Sequence, residues 1–189
     1  MTKQRRWVNR PEGSTWGDFG PDDQLGRMNL LTPDKVKQGI AEVREGRTFC
    51  LSLPLDYPGG NVLNPRRHPP VIRPTLRNGR VNFIYRNEQD DPRLTDVIND
   101  DAVVMHLQYS TQWDTLAHVG SMFDADGDGT PEPVFYNGFR GGEDIVGPSD
   151  PKDAGAIGMV EARSTSAARR LGVENMAEKC LQGRAVLID

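Results

Sequence analysis

Gln108-Tyr109-Ser110-Thr111-Gln112-Trp113-Asp114-Thr115-Leu116-Ala117-His118 is the stretch on which the reading of this chain turns. It follows Ala102-Val103-Val104-Met105-His106-Leu107, which together with Gln108 and Tyr109 reads as the strongest strand in the sequence. The run is apolar and β-branched at its start and is bounded upstream by the turn-forming Asn99-Asp100-Asp101. Side chains alternate along an extended strand, so His106, Gln108, Ser110, Gln112 and Asp114 are expected on one face. That face would collect imidazole, amide, hydroxyl and carboxylate groups. His118 follows four residues after Asp114, within reach after a turn. Imidazole and carboxylate are good donors to zinc or manganese. On residue types alone the stretch reads equally as an edge strand with a polar face, and His106 more readily as a satisfied core histidine than as a ligand.

Working downstream, residues 120–158 are rich in glycine, proline and aspartate and read as loop. Within them Asp124-Ala125-Asp126-Gly127-Asp128-Gly129 has carboxylates at positions one, three and five and glycine at six, as a calcium loop begins. Position twelve is Phe135 rather than a bidentate glutamate. Asp124, Asp126 and Asp128 are therefore candidate calcium ligands, with a turn-rich loop as the plainer alternative. Ser164 to Lys179 reads as a helix interrupted near Gly172, and Ala185 to Ile188 as an apolar strand.

Working upstream, Thr32 is a good N-cap with Pro33 at the first helical position, and Val36, Ile40 and Val43 follow at helical spacing. A helix is expected over about 33–45, ending at Gly46. Residues 1–32 read as an extended arm whose Trp7, Trp16 and Phe19 anchor onto a core, with Lys3 to Arg6 as a solvated basic tail. Thr48 to Leu55 and Val81 to Tyr85 read as strands. Residues 58–80, proline-rich with Arg66, Arg67, His68, Arg73, Arg77 and Arg80, read as a long loop that could face an anionic substrate or simply water. Nothing in the pattern divides the chain, so a single domain is expected over 1–189.

The chain has 189 residues, enough for one ordinary domain, with 36% hydrophobic and 26% charged residues. Its 20 glycines and 14 prolines predict long ordered loops between short elements. A net charge of −4 argues against a nucleic-acid partner. No apolar run approaches the ~20 residues of a membrane span, and residues 1–30 hold no signal-peptide core. Cys50 and Cys180 lack CxxC spacing and read as reduced, partly buried thiols of a cytoplasmic protein.

The stretch 108–118 resembles the HxGTHxDxPxH pattern of the cyclase family, which includes kynurenine formamidases and isatin hydrolases. Thr111, Asp114 and His118 match it. Gln108 and Gln112 stand where the family has histidines, Ser110 where it has glycine, Leu116 where it has proline. Asp23-Gln24-Leu25-Gly26-Arg27-Met28-Asn29-Leu30-Leu31-Thr32-Pro33 is similar to the family's D-x-L-G-x-x-N-x-L-T-P run before its first helix. Phe135-Tyr136-Asn137-Gly138 and the closing Gly183 to Asp189 add to the likeness. The resemblance implies an α/β (α+β) chain of the swivelling β/β/α type, of which this sequence holds the N-terminal part. It implies a divalent metal, zinc or manganese, at Gln108, Gln112, Asp114 and His118, with His118 also moving protons. Thr111 and Trp113 would meet the substrate, a small cyclic or N-formyl amide attacked by metal-activated water. Carboxamide oxygens in place of imidazoles favour a harder ion such as manganese or magnesium. Alternatively the glutamines hydrogen-bond substrate and no metal is held, leaving a non-catalytic relative that binds a small molecule or calcium. A homodimer or larger assembly is also implied.

Overall fold

The computed structural model describes residues 5–59, 61–62, 64–155 and 163–188. In chain order the elements are α1 (Pro33–Ile40), β1 (Val71–Pro74), β2 (Leu76–Arg77), β3 (Arg80–Val81), β4 (Tyr85–Arg86), β5 (Val97–Ile98), β6 (Asp101–Val104), β7 (Ser121–Phe123), β8 (Glu132–Val134), β9 (Ile145–Val146), β10 (Ala167–Ala168) and α2 (Val173–Lys179). The strands pair antiparallel in twos: β1 with β6, β2 with β3, β4 with β5, β7 with β8, and β9 with β10. Short helices beside two-stranded ladders make this an α+β chain. Among the described residues no helix is long and apolar enough to cross a membrane. Two compact units emerge: residues 1–48 with 114–189, and residues 49–113.

The first unit is built on the arm. Trp7 and Trp16 are buried with Ala125 and Val134, and Phe123 and Tyr136 pack against them. The two indoles meet edge to face with centroids 5.7 Å apart, and Trp16 meets Phe123 the same way at 6.1 Å. Val8 N–H and Asn9 N–H both donate to the Ala125 carbonyl, at 2.7 and 3.0 Å, which pins the arm to the β7–β8 connection. The anchoring expected of Trp7 and Trp16 is met. Arg6 departs from the expected solvated tail: it lies 4.0 Å over the Phe139 ring and pairs with Asp22.

Helix α1 starts where Thr32 and Pro33 predict, with Val36 N–H donating to the Thr32 carbonyl at 3.1 Å. It ends at Ile40 rather than near residue 45. Glu42 N–H and Val43 N–H reach back to Gly39 and Ile40, three residues away, so the last turn tightens and closes. Helix α2 begins only after Gly172; the helix expected from Ser164 is replaced there by β10. Ala185–Ile188 forms no ladder, and Val186, Leu187 and Ile188 are 86–88% exposed, against the buried strand expected.

Thr48–Leu55, at the entry to the second unit, carries no ladder, contrary to expectation, while in that unit β1, β2 and β3 occupy part of what the prolines marked as loop. Asn78 and Gly79, both at positive φ (52° and 74°), turn β2 into β3. Asn-Gly tolerates that left-handed pair better than other residues do. Tyr85 is the most buried side chain here. Its hydroxyl donates to Asp90 at 2.7 Å, and Asp90 also pairs with Arg77 at 3.0 Å. Cys50 and Cys180 are free thiols and both exposed, where partial burial was expected.

Candidate functional site

The strand expected through Tyr109 stops at Val104. Its partner explains why. Val71 pairs with Val104, so the next partner of β6 would be Pro70, preceded by Pro69. Neither proline has an N–H to donate, and the ladder cannot continue. The chain turns instead, with Tyr109 N–H donating to the His106 carbonyl at 3.0 Å and the Tyr109 ring buried. The single polar face expected for His106, Gln108, Ser110, Gln112 and Asp114 therefore does not form.

What holds the turn is the 54–68 segment of the same unit. Arg67 Nη1 donates to the Gln108 carbonyl at 2.8 Å. His68 N–H donates to His106 Nδ1 at 3.2 Å, and the two rings meet edge to face at 5.3 Å. Ser110 Oγ donates to the Tyr57 carbonyl at 2.5 Å. Because Nδ1 of His106 accepts a hydrogen bond, the proton of the neutral ring sits on Nε2, leaving no lone pair there for a metal. His106 is a latch for the loop rather than a ligand. Ser110 is likewise engaged with main chain. Three more of the loop's arginines are also engaged: Arg77 with Asp90 and Asn87, Arg80 with Gln89, Arg66 with Asn64.

The boundary between the units falls within the stretch. Gln108, Thr111, Gln112 and Trp113 belong to the second unit, where Trp113 is 60% exposed; Asp114 and His118 belong to the first. Asp114 and His118 are both exposed. Residues 115–118 form a turn in which His118 N–H donates to the Thr115 carbonyl at 3.1 Å and Ala117 N–H to Thr115 Oγ1 at 3.2 Å. Leu116, in the place of the pattern's proline, packs toward Gly26. A Cβ at Gly26 would lie 3.4 Å from Leu116 Cδ1 and 3.7 Å from the Tyr136 ring. The 23–29 run, the end of the 108–118 stretch and Tyr136 thus lie together in the first unit.

Asp23 and Asn137 organise that meeting point. Asp23 Oδ2 accepts from Gly26 N–H at 2.7 Å and from the Tyr136 hydroxyl at 2.8 Å, while Oδ1 accepts from Asn29 Nδ2 at 2.6 Å. Burial, and then the neighbouring Asp23 carboxylate, push the Tyr136 phenol above its ordinary range. Asn137 is fully buried. Its Oδ1 accepts from Gly17 N–H at 2.7 Å, and its Nδ2 donates to the carbonyls of Gly20 and Asp23 at 2.9 and 3.0 Å. Both short runs singled out in the sequence are therefore two halves of one half-buried polar knot with Asn137 at its centre.

The aspartate loop joins β7 to β8, so it is a hairpin connection and lacks the flanking helices of an EF-hand. Ligand atoms of Asp124, Asp126 and Asp128 lie within 4.8 Å of one another and could hold a divalent cation. The same carboxylates cap the turn: Asp124 accepts from Gly127 and Gly129 N–H at 2.8 and 3.1 Å, and Asp128 from Thr130 N–H at 2.7 Å. Arg140 ties the loop down through Glu132 and Asp126. Sequence reasoning missed Arg140 and Glu132, whose partnership depends on the hairpin register.

The class these elements define is α+β, with antiparallel ladders joined by long ordered loops. No family model matches the chain, and no curated protein does. Among solved structures it is similar to one described as the crystal structure of a novel cyclase, with a TM-score of 0.52 and 28% identity. The match covers 86% of this chain and 42% of that one, so the chain spans less than half the length of the structure it resembles.

Proposed function

We propose that this chain carries part of the site of a cyclase-type, metal-dependent amide hydrolase, in a domain of the swivelling β/β/α kind. The observation that carries the reading is the likeness to a cyclase over 86% of the chain at 28% identity. It is supported by the packing of the 23–29 run beside Leu116 and Tyr136. Asp114 and His118, both in the first unit, would hold the ion. A carboxylate oxygen beside an imidazole suits manganese as well as zinc. Such an ion, when bound, supplies an activated water and polarises the substrate carbonyl. His118 is exposed, so its imidazole is accessible to take up and deliver a proton. Thr111 and Trp113 would contact a small cyclic or N-formyl aromatic amide of the kynurenine formamidase type. A homodimer or larger assembly and a cytoplasmic location belong to the same reading.

Metal analysis of the purified chain, with assays on N-formyl aromatic amides and small lactams, tests the proposal. One equivalent of divalent metal, lost in Asp114→Asn, with hydrolysis lost in His118→Ala, is the expected result. Metal-free protein after manganese loading, together with no amidase activity, would sink it.

The proximity of three carboxylates in the β7–β8 loop favours a second reading, a non-catalytic relative that binds calcium there. Calcium should then raise the thermal midpoint of the wild type and leave Asp126→Ala unmoved. An unchanged wild-type midpoint removes this reading.

A further inference from the structure

The sequence holds two Asn-Gly pairs, Asn78-Gly79 and Asn137-Gly138, and the fold treats them in opposite ways. Both asparagines stand in the left-handed region, at φ 52° and 58°, and both glycines follow at positive φ, 74° and 71°. Their surroundings separate them. Asn137 is fully buried, with Oδ1 accepting from Gly17 N–H and Nδ2 donating to two carbonyls. Gly138 N–H is committed to the Phe135 carbonyl at 3.1 Å, and an added Cβ at Gly138 would meet Trp7 at 3.2 Å and Arg6 at 3.3 Å.

Asn78 and Gly79 are exposed at the tip of the β2–β3 hairpin, and a Cβ at Gly79 would meet nothing within 4 Å. The base of the hairpin is held by Asn82 N–H on the Thr75 carbonyl at 2.9 Å. Above it stand only two ladder pairs, Leu76 with Val81 and Arg77 with Arg80. A two-stranded ribbon so short is marginal, so its tip opens at low cost.

An open Asn-Gly tip has a reaction available to it. The Gly79 nitrogen, unshielded by any Cβ and having given its proton to hydroxide, attacks Asn78 Cγ. The N–Cγ bond forms, the Cγ–Nδ2 bond breaks, and ammonia leaves with a proton taken from water. The cyclic imide then takes up one water. Opening at Cγ leaves aspartate; opening at the main-chain carbonyl carbon leaves isoaspartate, whose main chain runs through Cγ. In sum a carboxamide and a water become a carboxyl and an ammonia, and nothing is oxidised or reduced.

We propose that Asn78 is a site of spontaneous deamidation, and that burial holds Asn137 against the same reaction. Isoaspartate adds one atom to the main chain of a two-residue turn, so Arg77 and Arg80 no longer close in their register. The β2–β3 hairpin then records the age of each molecule. This modification is independent of the hydrolase reading.

The whole chain is incubated in mildly alkaline buffer at physiological temperature, and peptides covering 72–85 and 131–142 are followed by mass spectrometry. The Asn78 peptide should gain the mass of an amide-to-carboxyl exchange and split into two chromatographic species, faster as pH rises. Asn137 should lag at least about 10-fold, since a site that reacts only after opening falls behind tenfold for every ~1.4 kcal/mol of opening cost. Asn78→Gln, whose longer side chain would have to close a larger ring, should abolish the conversion. Amide exchange over 76–81 should rise in the isoaspartate species and stay near wild type in Asn78→Asp, because Asp-Gly also suits the turn. A synthetic peptide of residues 74–83 reports the reaction without the fold. If Asn78 stays intact in the protein while that peptide converts, the hairpin protects it and the proposal is overturned. Conversion of Asn137 as fast as Asn78 would overturn the role given to burial. Unchanged exchange over 76–81 in the isoaspartate species would overturn the effect on the turn.

Discussion

Replacing Asn137 by alanine should cost the first unit about 4 kcal/mol. The side chain is fully buried and makes three hydrogen bonds, to Gly17 N–H and to the carbonyls of Gly20 and Asp23. Each is worth about 1 kcal/mol net, so their joint loss costs about 3 kcal/mol before any penalty for partners left without a replacement. Asn137 also sits in the left-handed region at φ 58° and ψ 26°. Asparagine tolerates that region and alanine does not, adding about 1 kcal/mol. Against a typical total of about 5–15 kcal/mol this is a large fraction. Asn137→Gly separates the two contributions, because it relieves the backbone and still loses the bonds; it should cost about 3 kcal/mol. Urea unfolding followed by tryptophan fluorescence is the assay. A Trp113→Phe background leaves only Trp7 and Trp16, both in the core of this unit. A loss below about 1 kcal/mol for Asn137→Ala, below even a single typical bond, would refute the reasoning. So would a glycine variant as stable as wild type.

Gly39 in α1 lies so close to Gly183 that an added Cβ would stand 2.8 Å from its carbonyl oxygen. Gly39→Ala should therefore destabilise by about 1–3 kcal/mol despite its better helix propensity, as denaturant midpoints would show. Tyr136, raised above its ordinary range, contributes stability that is fully present below the unfolded phenol pKa near 10 and is lost as pH rises beyond it. Ultraviolet titration should show a late-ionising phase from Tyr136. Tyr136→Phe should remove that late phase and cost about 1 kcal/mol at neutral pH.

The parts of the fold that could be read from the sequence are those set by neighbours along the chain. The start of α1 follows from Thr32 and Pro33, and the anchoring of Trp7 and Trp16 from large aromatics set in a polar arm. The end of α1 was not readable, because Gly39 is held against Gly183, far along the chain. Strands β1 to β3 were hidden by prolines that stand at their ends or in edge positions, where a missing N–H does no harm. The site stretch was misread for the same kind of reason. Its residues have the period of a strand, but whether a strand continues depends on its partner, and the partner runs out at Pro70. In the aspartate loop the reverse held. Asp-Gly chemistry is local, so the clustering of Asp124, Asp126 and Asp128 could be expected, while the clamp by Arg140 and Glu132 could not.

The prolines at 69 and 70 have a consequence for anyone who would borrow this stretch. Residues 105–110 owe their shape to a neighbour that stops pairing and to a nearby segment that straps them down. Grafted alone onto another scaffold, the same residues would regain a pairing strand and straighten. The unit that can be transplanted is the pair of segments, 54–74 together with 101–110, and a library built on the short stretch alone would sample the wrong backbone.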